Sequence, residues 1–106
     1  VGSNSLAYIG LAYRAGRALA GTAACEKGIK QKKVKLLLMQ RGLSEGTVED
    51  FTQLCNRFGV QARMMDEGIG RAIGRPEIKL IGVTDQRLAN AAMSIIDGVK
   101  GSGLNE

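Results

Sequence analysis

The stretch Val34-Lys35-Leu36-Leu37-Leu38-Met39 is a short, nearly unbroken apolar run, preceded by lysines and followed by Gln40-Arg41-Gly42. A run this short, without strict alternation, reads as a strand buried on both faces. Such a strand needs a layer of helix above it and another below. Upstream, Gly21-Thr22 reads as a turn with Thr22 as N-cap. A helix from about Ala23 to Gln31 then carries Cys25 and Ile29 inward, one helical turn apart. Gly28 weakens that helix unless something packs closely against it.

Working outward, Ser3-Asn4-Ser5 offers N-cap side chains to a first helix with the stripe Leu6, Ile9, Gly10 and Tyr13 and a stop at Gly16. Ala18-Leu19-Ala20 is long enough only for a short strand. Downstream, Leu43 to Thr47 reads as a loop. A third helix follows, with Val48, Phe51, Leu54, Cys55 and Phe58 inward and Gly59 at its end. Val60 to Met64 alternates as a half-buried strand. Asp66 is placed to cap a short helix holding Ile69, Ala72 and Ile73, closed by Gly74. Ile78 to Val83 is another strand. Thr84-Asp85 caps a last helix with Leu88, Ala91, Ala92, Ile95, Ile96 and Val99 on one face. Residues 101–106 read as a frayed tail behind a single domain spanning 1–100. Helices and strands alternate with short connections, which predicts a three-layer α/β/α sandwich around a mostly parallel sheet of about four strands.

The chain has 106 residues, enough for one hydrophobic core but not two. Its 44% apolar content argues against disorder, and with no Trp and four Phe and Tyr residues the core must be aliphatic. No apolar run approaches the ~20 residues of a membrane span, and no signal-peptide pattern opens the sequence. The expectation is a cytosolic protein without membrane contact, in which Cys25 and Cys55 are buried reduced thiols.

There is no histidine, which removes the commonest general base and the commonest metal ligand. No nucleophile elbow and no P-loop occurs. Gly68-Ile69-Gly70-Arg71-Ala72-Ile73-Gly74 approaches a dinucleotide fingerprint but has the wrong last spacing and the wrong place in the strand order. It reads instead as a short helix whose glycines permit close packing. Asp50, Asp66, Glu67 and Asp85 are scattered and form no paired-carboxylate site. The expectation is a non-catalytic protein with neither cofactor nor metal.

The net charge of +5 points to an acidic partner, nucleic acid first. Loops at the C-terminal ends of parallel strands gather at one end of a sheet. Arg41 follows the central strand, the Asp66 segment follows the next, and the start of the second helix joins them. Free amides there, with the positive end of the helix dipole and nearby arginines, form a phosphate-holding surface. The alternative is a solvated cationic face without special purpose.

Taken in order, Gly10-Leu11-Ala12-Tyr13-Arg14-Ala15-Gly16-Arg17, Gly21-Thr22, Val34-Lys35-Leu36-Leu37-Leu38, Leu54-Cys55 with Gly59-Val60, Ile69 to Gly74 and Val83-Thr84-Asp85 resemble the kink-turn RNA-binding ribosomal-protein superfamily (the L-seven-Ae type). The likeness runs from about Leu6 to Ile96 and is greatest to small stand-alone bacterial members. It implies an α/β/α sandwich with a mixed rather than parallel sheet. It also implies RNA, ribosomal RNA first, as partner, with other proteins as further partners; the chain itself is expected to be a monomer. In strong binders of this superfamily the contact segment reads Gly-Thr-Asn-Glu, with a Lys three residues later. The matching residues here are Gly21, Thr22, Ala23, Ala24 and Lys27, so the Gly-Thr and the Lys are kept and the two base-reading side chains are methyl groups. The second contact loop corresponds to Arg75-Pro76-Glu77-Ile78. With Arg17, Arg41 and Arg71 as phosphate-neutralising neighbours, these residues make the expected RNA site. Because a methyl group cannot hydrogen-bond a base edge, the same departure leaves a second reading open, a protein-interaction module that has lost its RNA site.

Overall fold

A computed structural model describes residues 2–66 and 68–98. The elements are α1 (Gly2–Arg14), β1 (Ala18–Ala20), α2 (Thr22–Lys30), β2 (Leu36–Gln40), α3 (Glu45–Phe58), β3 (Gln61–Met65), α4 (Ile69–Ala72), β4 (Leu80–Val83) and α5 (Gln86–Ile96). Four strands form one sheet in the order β1-β4-β2-β3.

The central apolar run does what its composition requires. Leu36, Leu37 and Leu38 are all fully buried. Alternation sends Leu36 and Leu38 to one layer, with Ile9 and Ala12 of α1, Ile69 of α4, and Ala89 and Ala92 of α5. Leu37 and Met39 face the other layer, with Cys25 and Ile29 of α2 and Phe51 and Cys55 of α3. Burying each leucine contributes roughly 1.5–3 kcal/mol. Among the described residues, Phe51 is the one aromatic in the buried hydrophobic core.

The sheet is mixed, as the resemblance implied. β2 and β3 are parallel, whereas β4 runs antiparallel to both β2 and β1. Periodicity records which face a residue takes but not which way the strand runs, so a mostly parallel sheet was the wrong inference from it. Because β4 is antiparallel to both neighbours, β1, β2 and β3 share one direction. Their C-terminal ends still meet at one end of the sheet, where β4 enters.

Several boundaries differ from expectation. Ser3, Asn4 and Ser5 fall inside α1 rather than ahead of it. The segment 45–47 is the first turn of α3, because Ser44 caps the helix by accepting from the Thr47 N–H at 3.2 Å. Asp66 does not cap α4; Gly68 holds that position without a side-chain bond. The Ile69 N–H instead donates to Gln40 Oε1 at 3.0 Å, a partner 29 residues away. In α5 the fully buried positions are Ala89 and Ala92, so the inward face is rotated from the expected stripe. Val99 and the expected tail at 101–106 lie outside the described residues.

β3 is an edge strand. Its Arg63 makes a two-pronged ion pair with Asp97, Nε to Oδ1 at 2.8 Å and Nη2 to Oδ2 at 2.9 Å. Nη1 also donates to the Ala62 carbonyl at 2.9 Å. The guanidinium holds the Asp97 carboxyl below the usual carboxylate range.

Both cysteines are buried in the α2–α3 layer. Burial pushes the Cys25 thiol up to about 12 and the Cys55 thiol up to about 11. A raised pKa on an acid that is neutral when protonated stabilises the fold below the unfolded value, near 9, and that contribution is lost as pH climbs through the folded values. A disulfide-exchange thiol reagent at pH 8 should find neither cysteine in the native protein and both after denaturation. Rapid native labelling of either would contradict this placement.

Candidate nucleic-acid interface

The end of the sheet where β1, β2 and β3 finish is held together by main-chain bonds. The Gly21 N–H donates to the Leu80 carbonyl at 2.8 Å, Gln40 N–H to Lys79 O at 2.9 Å, and Arg41 N–H to Met65 O at 2.8 Å. Gly21, Lys79 and Arg41 are thereby fixed side by side across adjacent strands.

Gly21, not Thr22, is the N-cap of α2, and it makes no side-chain cap bond. Its φ of 95° is a conformation that a residue with a Cβ rarely adopts. The turn aims the helix start outward from the sheet. The first helical bond runs from the Cys25 N–H to the Gly21 carbonyl at 3.0 Å. The amides of Thr22, Ala23 and Ala24 consequently have no acceptor within the helix, and the positive end of the helix dipole lies with them. Beside them is a cleft of about 280 Å³ between Gly21-Thr22, Leu43 and Glu77-Ile78-Lys79. Ile78 forms its floor near Gly21: a Cβ built on Gly21 would lie 3.7 Å from Ile78 Cδ1.

The remaining candidates divide. Ala23 and Lys27 are exposed one turn apart on α2, and Ala24 is half-buried. Arg41 is at the cleft end but paired with Asp66; both side chains are mostly exposed, so the pair is weak and open to exchange for a phosphate. Arg71 lies exposed in the last turn of α4. Arg75 sits in the α4–β4 loop, its guanidinium held above its ordinary pKa first by the Tyr13 hydroxyl and further by Glu77, whose carboxylate is 3.5 Å away.

Arg17 does not join the group. It precedes β1 at the other end of the sheet, where its Nη1 pairs with Asp85 Oδ2 at 2.9 Å. Asp85 also accepts from the Leu88 N–H, which is the main cause of its lowered pKa.

The sequence reading missed Lys79. It borders the cleft, with its Nζ 3.7 Å from where a Gly42 Cβ would be. Only the antiparallel direction of β4 brings it there, and that direction has no local sequence signal.

Strand order, layering and the exposed start of α2 define a small basic α/β/α domain with a mixed four-stranded sheet. The chain belongs to the family of the RNA-binding protein YlxQ of Bacillus subtilis (strain 168), with which it is 32% identical over 91 residues, 84% of this chain and 91% of that protein. It superposes on a Bacillus halodurans C protein of unknown function with a TM-score of 0.83 at 26% identity, covering 88% of this chain and 96% of that one. The Giardia lamblia 15.5kD RNA binding protein shares the fold, with a TM-score of 0.76 at 16% identity over 92% of this chain and 87% of that one. No family model matches the chain. Among the described residues no helix is long and apolar enough to cross a membrane.

Proposed function

We propose that this protein is a non-catalytic, ribosome-associated RNA-binding protein that receives structured, kink-turn-like RNA at the Gly21 end of its sheet. The observation that carries the reading is the uncapped start of α2 above a cleft edged by Lys79, with Lys27 on the exposed helix face. The kinship to a protein named for RNA binding supports it. In this reading the amides of Thr22, Ala23 and Ala24 hold a phosphate. Lys27, Lys79, Arg41, Arg71 and Arg75 neutralise its neighbours, and the Gly21–Ile78 contact supplies shape.

Ala23 and Ala24 favour a second reading, in which the same scaffold binds protein rather than RNA. The two are separated by titrating three labelled RNAs at two salt concentrations: a kink-turn, the same RNA with its G·A pairs made Watson–Crick, and a plain duplex. Binding to the kink-turn is expected, and its absence at both salts would favour the protein-interaction reading. Lys27→Ala should weaken binding to every RNA and lower the salt slope by about 1, the signature of one lost phosphate contact. An unchanged slope would remove Lys27 from the site.

A further inference from the structure

A second group of cations without carboxylate partners lies at the other end of the sheet. At the Gly21 end, Arg41 and Arg75 each have a carboxylate partner, Asp66 and Glu77. α3 also starts there, carrying Glu45, Glu49 and Asp50 in its first half. At the far end, β1 and β2 begin, β4 finishes, and α1, α2 and α3 finish. The Thr84 N–H donates to Arg17 O at 2.8 Å and the Lys35 N–H to Val83 O at 2.7 Å, which sets Arg17 and Lys35 on either side of β4. Lys32, Lys33 and Lys35 crowd the α2–β2 turn, with Lys35 Nζ 3.4 Å from the Lys32 carbonyl. Arg57 lies in the last turn of α3. Among the described residues, none of these four cations makes an ion pair. Asp85, the carboxylate at this end, already faces Arg17 and Arg87.

Some of this charge complements the helix C-termini. Lys32 needs a further reason. Gly16, Gly59, Gly74 and Gly98, which follow the other four helices, all have φ between 69° and 75°. After α2 the corresponding left-handed residue is Lys32, with φ 62°, the one non-glycine with positive φ among the described residues. A lysine there accepts backbone strain that a glycine would avoid. What it adds is a cation beside Lys33 and Lys35.

We infer that this far end is a second phosphodiester-binding surface, which grips the backbone of an RNA duplex while the Gly21 end holds another segment. The inference rests on the RNA-binding reading above. The surfaces are separated by the length of β2, about 16 Å for five residues. Since the cations of this end are lysine and arginine side chains, the contact reads charge rather than base sequence. One protein would then hold two RNA elements together.

The test uses kink-turn RNA fixed to a surface, loaded with protein and then offered a labelled plain duplex. Wild type should recruit the duplex. A variant with Lys32→Gly, Lys33→Gln, Lys35→Gln and Arg57→Gln should still bind the fixed RNA but recruit at least tenfold less duplex. Its salt slope for duplex alone should be shallower by about 3 to 4. Lys32→Gly alone should lower duplex affinity while leaving the melting temperature unchanged or higher, an outcome that a purely structural lysine would not give. Equal recruitment by wild type and the fourfold variant overturns the inference. If wild type ignores the kink-turn but binds duplex in a way the fourfold variant does not, the Gly21 site fails and the second surface stands. Binding of polyglutamate but not of duplex overturns it in favour of an acidic protein partner.

Discussion

Gly70→Ala should cost this protein about 3 kcal/mol or more, the range reserved for substitutions that force a packed core apart. A Cβ on Gly70 would lie 2.2 Å from the Arg75 carbonyl oxygen and 2.5 Å from that of Ile78. Both are main-chain atoms, so no rotamer change relieves the clash. The Arg75 N–H donates to the Gly70 carbonyl at 2.8 Å, and Ile78 N–H to Arg75 O at 3.0 Å. The whole α4–β4 loop is therefore wrapped on this one residue. Pushing it outward also moves Ile78 from Gly21 and opens the cleft. Gly46→Ala is the matched control: that glycine lies inside α3 with nothing within 4 Å of its would-be Cβ. It should raise stability by about 0.5–1 kcal/mol through helix propensity. Urea denaturation measures both, and a Gly70→Ala loss below 1 kcal/mol would show that the loop can shift at little cost.

Ala23→Asn with Ala24→Glu should strengthen kink-turn binding by about a hundredfold or more, because each base-edge contact contributes ~1–3 kcal/mol of discrimination. Ala23 is exposed and ready to present an amide, whereas Ala24 is half-buried, so its glutamate must leave the helix surface at an angle. The gain should appear on the kink-turn and vanish when its G·A pairs are replaced. A uniform change across both RNAs would instead mean that the added side chains alter charge without reading bases. No gain on either would place the contact elsewhere than the start of α2.

These experiments rest on features that were legible in the sequence to different degrees. Leu36 to Met39 announced a two-faced strand by composition alone, and Cys25–Ile29 and Phe51–Cys55 announced their helices by spacing; all are buried as read. Gly28 needed close packing to justify it and has it, with Leu19 and Val34 against the place a Cβ would take. What failed depended on contacts between distant segments. Gln40 takes the amide that Asp66 was expected to hold, and no local pattern links residues 40 and 69. Arg17 and Gly21 are four positions apart, yet β1 lies between them, so a list of nearby basic residues joined two ends of the molecule. Lys79 was overlooked for the same reason, since the direction of β4 decides which end it joins.

The fork by which Arg63 grips Asp97 has a consequence for how the protein behaves among its own copies. Along β3 the Met65 carbonyl accepts from Arg41 of the β2 side, so alternation turns the Ala62 carbonyl outward, toward open solvent. The Arg63 guanidinium occupies that carbonyl and anchors itself to α5. An incoming strand would have to displace a charged group before pairing. The opposite border of the sheet, β1, is only three residues long and gives a visiting chain little to zip along. Both flanks of the sheet are thus closed to strand-by-strand polymerisation, which under the proposed function leaves both cationic ends free of strand contacts between copies.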